Sequence, residues 1–235
     1  MSKVFAFDVW GQYGHFRKIY TTTSPLTYSI PPRTAVTGLI GAILGLDKSE
    51  YLGHFKKKDA EIAIQLLNPV KKVTLSENLI DTKKAGSMMN IIRQRTQIRR
   101  ELLKDPKFRI FLRHQDKDLL DNLIENVEGH KSVYTPCLGL SEHIANFNIS
   151  GVHEAENISG EKNIQAITAV PEKRIVDLEF ETDFEYVQER IPNEMSPDRV
   201  VTEYTSVIFE QKTRPITALI RDPVRLEDGE YIVFL

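Results

Sequence analysis

Cysteine is almost absent. Cys137 is the only one in 235 residues, so no internal disulfide can form and nothing in the chain requires an oxidising compartment. Long apolar runs are missing too: the longest, residues 36–46, spans 11 positions, against the roughly 20 needed to cross a bilayer. Residues 1–7 meet Asp8 at once, too short an apolar run for a signal peptide. These absences predict a soluble, cytoplasmic protein with no membrane partner. Catalytic signatures are equally scarce. The six histidines are scattered, the closest two ten residues apart, and there is no metal-type Cys/His pairing, phosphate loop or nucleophile elbow. Neither a metal nor another cofactor is expected.

A net charge of −2 conceals two opposed halves. Residues 1–113 carry 20 Lys and Arg against 9 Asp and Glu, and residues 114–235 carry 11 against 24. The first half therefore has the balance of a surface that meets a polyanion; the second keeps away from that polyanion, meets a basic partner, or is simply solvated. With 41% apolar residues the chain has enough for an ordinary core.

Periodicity places a strand at residues 4–9, a glycine and aromatic loop, and a helix from Arg33 or Thr34 to Leu44 that stops at Gly45. Strands follow at 61–67 and 108–112, with another extended piece at 70–80; a helix is predicted over 116–127 and a last strand at 145–149. The order predicts an α+β fold, a ferredoxin-like, RNA-recognition-like β-α-β-β-α-β core over residues 1–150. Residues 83–104 interrupt it as an irregular or partly helical basic excursion. Residues 151–235 read as a small β-rich C-terminal part, with strand-like runs near 164–170, 175–180, 202–209, 217–220 and 231–235.

Several features suit a nucleic-acid strand. Tyr13, Phe16, Tyr20 and Tyr28 interleave with His15, Arg17 and Lys18, offering ring faces for bases and charge for phosphate, although about half of these aromatics belong to the core. Pro31 and Pro32 place Arg33 at a helix start, where unpaired N–H groups favour an anion. Gly38, Gly41 and Gly45 share one helical face, which predicts tight packing of that helix on the sheet. Lys83, Lys84, Arg93, Arg95, Arg99 and Arg100 fall in a segment with no acid between 83 and 100, whereas a solvated face usually mixes signs. Near residues 136–143, Ser141 is a further candidate phosphate donor, or part of a simple turn. His114, beside Arg113 at a strand end, is the one candidate general acid or base for metal-free RNA cleavage; a structural role is the commoner one for such a histidine.

Residues 7–11, 13–17, 22–28 and 30–45 together resemble the fifth CRISPR-associated protein family of the RAMP superfamily, most closely its type I-B branch. Weaker similarity runs through 108–114 and 138–142. The resemblance implies a non-catalytic subunit of a type I Cascade complex in antiviral defence, which binds the 5′ handle of the guide RNA and caps the backbone filament. Its partners would be that RNA, the backbone and large subunits, and target DNA only indirectly. It also implies that residues 71–104 form a thumb-like excursion. One branch, type I-C, cleaves precursor RNA itself, and here His114, Tyr28 and Lys18 would be the residues to suspect. A structural adaptor without RNA contact is a third reading.

Overall fold

The computed structural model describes residues 2–21, 23–80 and 95–235. The chain opens with β1 (Ser2–Trp10), the short β2 (Tyr13–Gly14), helix α1 (Arg33–Leu44) and a single turn, α2 (Tyr51–His54). Next come β3 (Ala60–Leu66), β4 (Lys72–Ile80), β5 (Arg95–Lys104), β6 (Lys107–His114), α3 (Lys117–Glu128) and β7 (Asn146–Asn157). The remainder is almost all strand: β8 (Glu161–Ala166), β9 (Val170–Pro171), β10 (Ile175–Leu178), β11 (Tyr186–Met195) and β12 (Val201–Glu210), then β13 (Ile216–Arg221), β14 (Val224–Leu226) and β15 (Tyr231–Ile232). The fold is thus mixed α+β, dominated by strands.

A nine-stranded sheet runs β10-β13-β8-β15-β14-β7-β1-β6-β3. Within it, β1 pairs antiparallel with both β6 and β7, and β3 pairs antiparallel with β6. Helices α1 and α3 pack where Phe5, Phe7 and Val9 point, together with Ile40, Ile43, Leu120 and Leu123. Val4 and Ala6 face the opposite side, against Phe111, Leu226, Ile232 and Phe234. Burial on both faces explains why β1 reads as a nearly continuous apolar run rather than an alternating one. Each buried Phe of this layer contributes about 1.5–3 kcal/mol relative to exposure.

Local signals set the helix limits. Asp116 caps α3 by accepting from the Leu119 N–H at 3.0 Å, and Gly45 ends α1 with φ at 75°. The glycine face of α1 does not pack on the sheet as predicted. A Cβ on Gly41 would stand 3.1 Å from the Tyr51 Cβ, and one on Gly45 would lie 2.7 Å from a Val133 methyl. The glycines instead admit α2 and residues 133–134, whose N–H groups donate to the Ile43 and Ala42 carbonyls at the helix end.

The expected junction at 150/151 falls inside β7, and the C-terminal strands extend the same sheet. β4 and β5 leave the body as an antiparallel ribbon registered from Lys72↔Leu103 to Ile80↔Arg95, with β2 on its edge. Residues 95–104 are therefore strand, not the irregular or helical segment predicted. A third sheet, β11-β12-β9, packs β11 against α1.

Candidate nucleic-acid interface

The period of two in the β4–β5 ribbon sorts its side chains onto two faces. One carries Lys72, Thr74, Ser76, Asn78 and Ile80 beside Arg95, Gln97, Arg99, Glu101 and Leu103; the other carries Val73, Leu75, Glu77 and Leu79 beside Thr96, Ile98, Arg100 and Leu102. Ion pairs verify the sorting: Lys72 lies 3.5 Å from Glu101 on the first face and Arg100 lies 2.9 Å from Glu77 on the second. Arg95 and Arg99 are exposed, and among the described residues neither makes an ion pair. Leu75 and Leu79 are also exposed, at 41% and 43%. The first side is mainly polar and cationic, with the exposed Ile80 at its tip, and the second is mainly apolar around the Glu77–Arg100 pair.

The polar face leads into the loop after β2. There Lys18 donates to Glu189 at 3.0 Å, and the same carboxylate accepts from the Ser29 N–H and hydroxyl. Lys72 stands 3.9 Å from Glu189, which joins ribbon and loop. Burial alone would depress the Lys18 ammonium, but the Glu189 carboxylate outweighs it and raises the pKa above the ordinary lysine value. Lys18 also lies 5.4 Å from the Tyr28 ring centroid, and Arg190 lies 5.0 Å from that of Tyr204. These residues, with the 70%-exposed Tyr20, line a cleft of about 350 Å³. Burial raises the Tyr28 phenol to about 12, so it stays protonated at neutral pH.

The candidates sort by position. Lys18, Tyr20 and Tyr28 come together at the cleft, while Arg99 and Arg95 lie further out along the ribbon face, Arg95 at its far end. Arg17 is exposed and donates to the Thr21 carbonyl at 3.1 Å. Tyr13 and Arg100 belong to the other side of the ribbon base; the Tyr13 ring lies 6.2 Å from that of His143, and Arg100 acts electrostatically on His143. Ser141 is exposed and donates to Glu142 at 3.2 Å. Lys83, Lys84 and Arg93 lie outside the described residues. Arg190 and Tyr204 went unnoticed because nothing local ties the acidic half to the loop; the one clue was Arg190 itself, a cation among acids.

Four candidates turn inward, Tyr28 among them at 2% exposure. Arg33 does not meet an anion at the helix start: its side chain is buried and donates to the carbonyls of Asn193, Phe55 and Ala60 at 3.2, 2.8 and 2.7 Å. The sequence placed the residue at the helix start but not the direction of its side chain. His15 is 2% exposed, with Nδ1 2.8 Å from the Glu101 carbonyl; burial lowers its pKa, and Arg100, His143 and Arg17 add to the effect. His114 Nδ1 accepts from the Asp116 N–H at 3.0 Å while Nε2 meets the His54 carbonyl at 2.9 Å. Both ring nitrogens are engaged, and the ring packs edge-on against Phe55.

The model of the family described as CRISPR-associated protein (Cas_Cas5) matches residues 4–211. The chain belongs to this family. No curated protein matches the sequence. Among solved structures, a CRISPR protein from Archaeoglobus fulgidus has a similar fold, with a TM-score of 0.58 at 14% identity, covering 99% of this chain and 98% of that one. A chain of a CRISPR RNA-guided surveillance complex reaches 0.50 at 12% identity over 92% and 91%. A chain of a type III-B Cmr-beta assembly bound to cognate target RNA and AMPPnP reaches 0.54 at 11% identity over 91% and 86%. At such identities the likeness is one of fold, so the chemistry rests on this family member's own residues. Among the described residues, no group of three or more His, Cys, Asp or Glu is placed to hold a metal, and no helix is long and apolar enough to cross a membrane.

Proposed function

We propose that this chain is a non-catalytic, RNA-binding subunit of a type I CRISPR effector complex, holding the 5′ handle of the guide RNA and capping the backbone filament. The observation that carries the proposal is the two-faced ribbon. A strand pair with Arg95, Arg99 and amides on one side, and Val73, Leu75, Leu79 and Ile98 around the Glu77–Arg100 pair on the other, is suited to stand between a nucleic acid and a protein neighbour. RNA would lie along Arg95, Gln97 and Arg99 and continue into the cleft, where the exposed Tyr20 ring and the half-buried Tyr204 offer stacking without sequence preference. The exposed leucines would be covered by the adjacent backbone subunit. Membership of the CRISPR-associated family supports the reading, as does the order of β7, β1, β6 and β3, which we take as a ferredoxin-like core.

The engagement of both His114 nitrogens favours binding over cleavage, since a general acid or base must have a nitrogen free to reach substrate. Lys18 lies over the Tyr28 ring and donates to Glu189, away from His114. The test is incubation of the protein with end-labelled repeat RNA, without metal, scoring retention and cuts together. Retention without cuts, weakened in Arg95→Ala/Arg99→Ala, is expected. Specific cuts that vanish in His114→Ala would make the chain a processing endonuclease, and absence of retention would favour an adaptor.

A further inference from the structure

A second concavity opens at the foot of the ribbon, where the ends of β1 and β7 meet the turn between β5 and β6. Its volume is about 730 Å³, within the roughly 300–1,000 Å³ typical of small-ligand sites. Two ring systems line it. His130 is exposed and lies on the buried Phe147 ring at a centroid distance of 4.9 Å and 21° between planes. It follows α3 in a left-handed conformation, φ 50°, its own N–H donating to the Val127 carbonyl and that of Lys131 to Asn126; histidine is among the residues that accept that conformation. The Trp10 indole carries the Lys107 ammonium 5.6 Å from its ring centroid.

The polar groups supply a complementary pair. Asn68 uses its amide nitrogen on the Asp105 carbonyl, at 2.9 Å, and so turns its oxygen outward as an acceptor. Asn146 uses its amide oxygen on the Phe147 N–H, also at 2.9 Å, and so keeps its NH₂ as a donor. One donor and one acceptor beside stacked rings match the edge and face of a nucleobase. Lys107 lies 3.7 Å from Asp8, a carboxylate it shares with Arg109 at 2.7 Å, and among the described residues its ammonium is the one cation lining the groove that a phosphate could meet.

We propose that this groove holds one unpaired nucleobase of single-stranded RNA, with its face on His130, its edge on Asn68 and Asn146, and its phosphate near Lys107. The proposal rests on the RNA-binding reading above but uses a different set of residues. Trp10 is the only tryptophan of the chain and therefore reports on this groove alone.

The test titrates the full chain with AMP, reading Trp10 fluorescence, and with a labelled RNA decamer, reading anisotropy. AMP is expected to quench Trp10 saturably. His130→Ala should weaken AMP binding about 10-fold, as loss of one stacked base does, and Asn146→Ala should weaken it as well. Arg95→Ala/Arg99→Ala should weaken the decamer and leave AMP unchanged. A decamer that binds while neither it nor AMP changes Trp10 fluorescence would overturn the groove and leave the ribbon intact. Quenching insensitive to both His130→Ala and Asn146→Ala would overturn it too, and failure of both ligands would overturn it along with the RNA reading.

Discussion

Arg33 shows how a cation can serve structure rather than ligand. Its guanidinium bonds three carbonyls from three separate segments, tying the start of α1 to the end of α2, the start of β3 and strand β11. An apolar replacement leaves those acceptors without donors, at about 1–3 kcal/mol for each buried one. Arg33→Met should therefore lower stability by roughly 3 kcal/mol or more in urea melts, and Arg33→Lys should recover little because a single ammonium cannot reproduce the planar fork. His15 makes a pH prediction. Burial lowers its pKa from 6.5, with Arg100, His143 and Arg17 acting in the same direction, so the unfolded chain binds a proton that the folded one refuses. The stability it protects is full above the unfolded pKa and falls as pH drops below 6.5. Urea midpoints compared across that range should show a shallower acid loss in His15→Asn than in the native protein. An equal loss in both would remove His15 from the account.

Among the elements, α1 and α3 were legible because their signals are local: paired prolines and a terminal glycine for one, an aspartate cap and leucine spacing for the other. β5 was not, because arginines occupy both of its faces and its alternation has meaning only beside β4. β11 was hidden for a related reason. Its inward Glu189 and its Pro192 break the apolar pattern, and only the folded chain brings Lys18, Ser29 and Lys72 to that carboxylate. The candidate interface followed suit, since its residue types were visible while their division between two faces was not. An isolated two-stranded ribbon is marginal in water, and this one also exposes Leu75 and Leu79. Replacing both by serine should therefore spare RNA affinity within about twofold, while lowering incorporation into a reconstituted complex when co-purification is scored. Unchanged incorporation would leave the apolar face without its proposed role. At the ribbon base, a Cβ on Gly139, whose φ is 91°, would stand 1.9 Å from the His15 carbonyl oxygen. Gly139→Ala should therefore disrupt the 137–143 loop and lower the melting temperature.

Across the whole molecule, the opposition of basic and acidic halves is partly resolved within the chain. Lys18 and Lys72 meet Glu189, and Lys57 meets Glu203 at 2.7 Å, so some acids of the second half clamp the first. On the ribbon, the exposed Arg95 and Arg99 make no ion pair among the described residues. That geometry makes a quantitative demand, because each phosphate contact on a single strand contributes about 0.7 to the slope of log affinity against log salt. The most direct measurement is anisotropy of labelled single-stranded repeat RNA across a salt series, for the native chain and for Arg95→Ala/Arg99→Ala. Loss of two contacts predicts weaker binding at every salt concentration and a slope shallower by about 1.4. Equal affinity and equal slope in the two proteins would contradict the assignment of the ribbon's polar face to RNA.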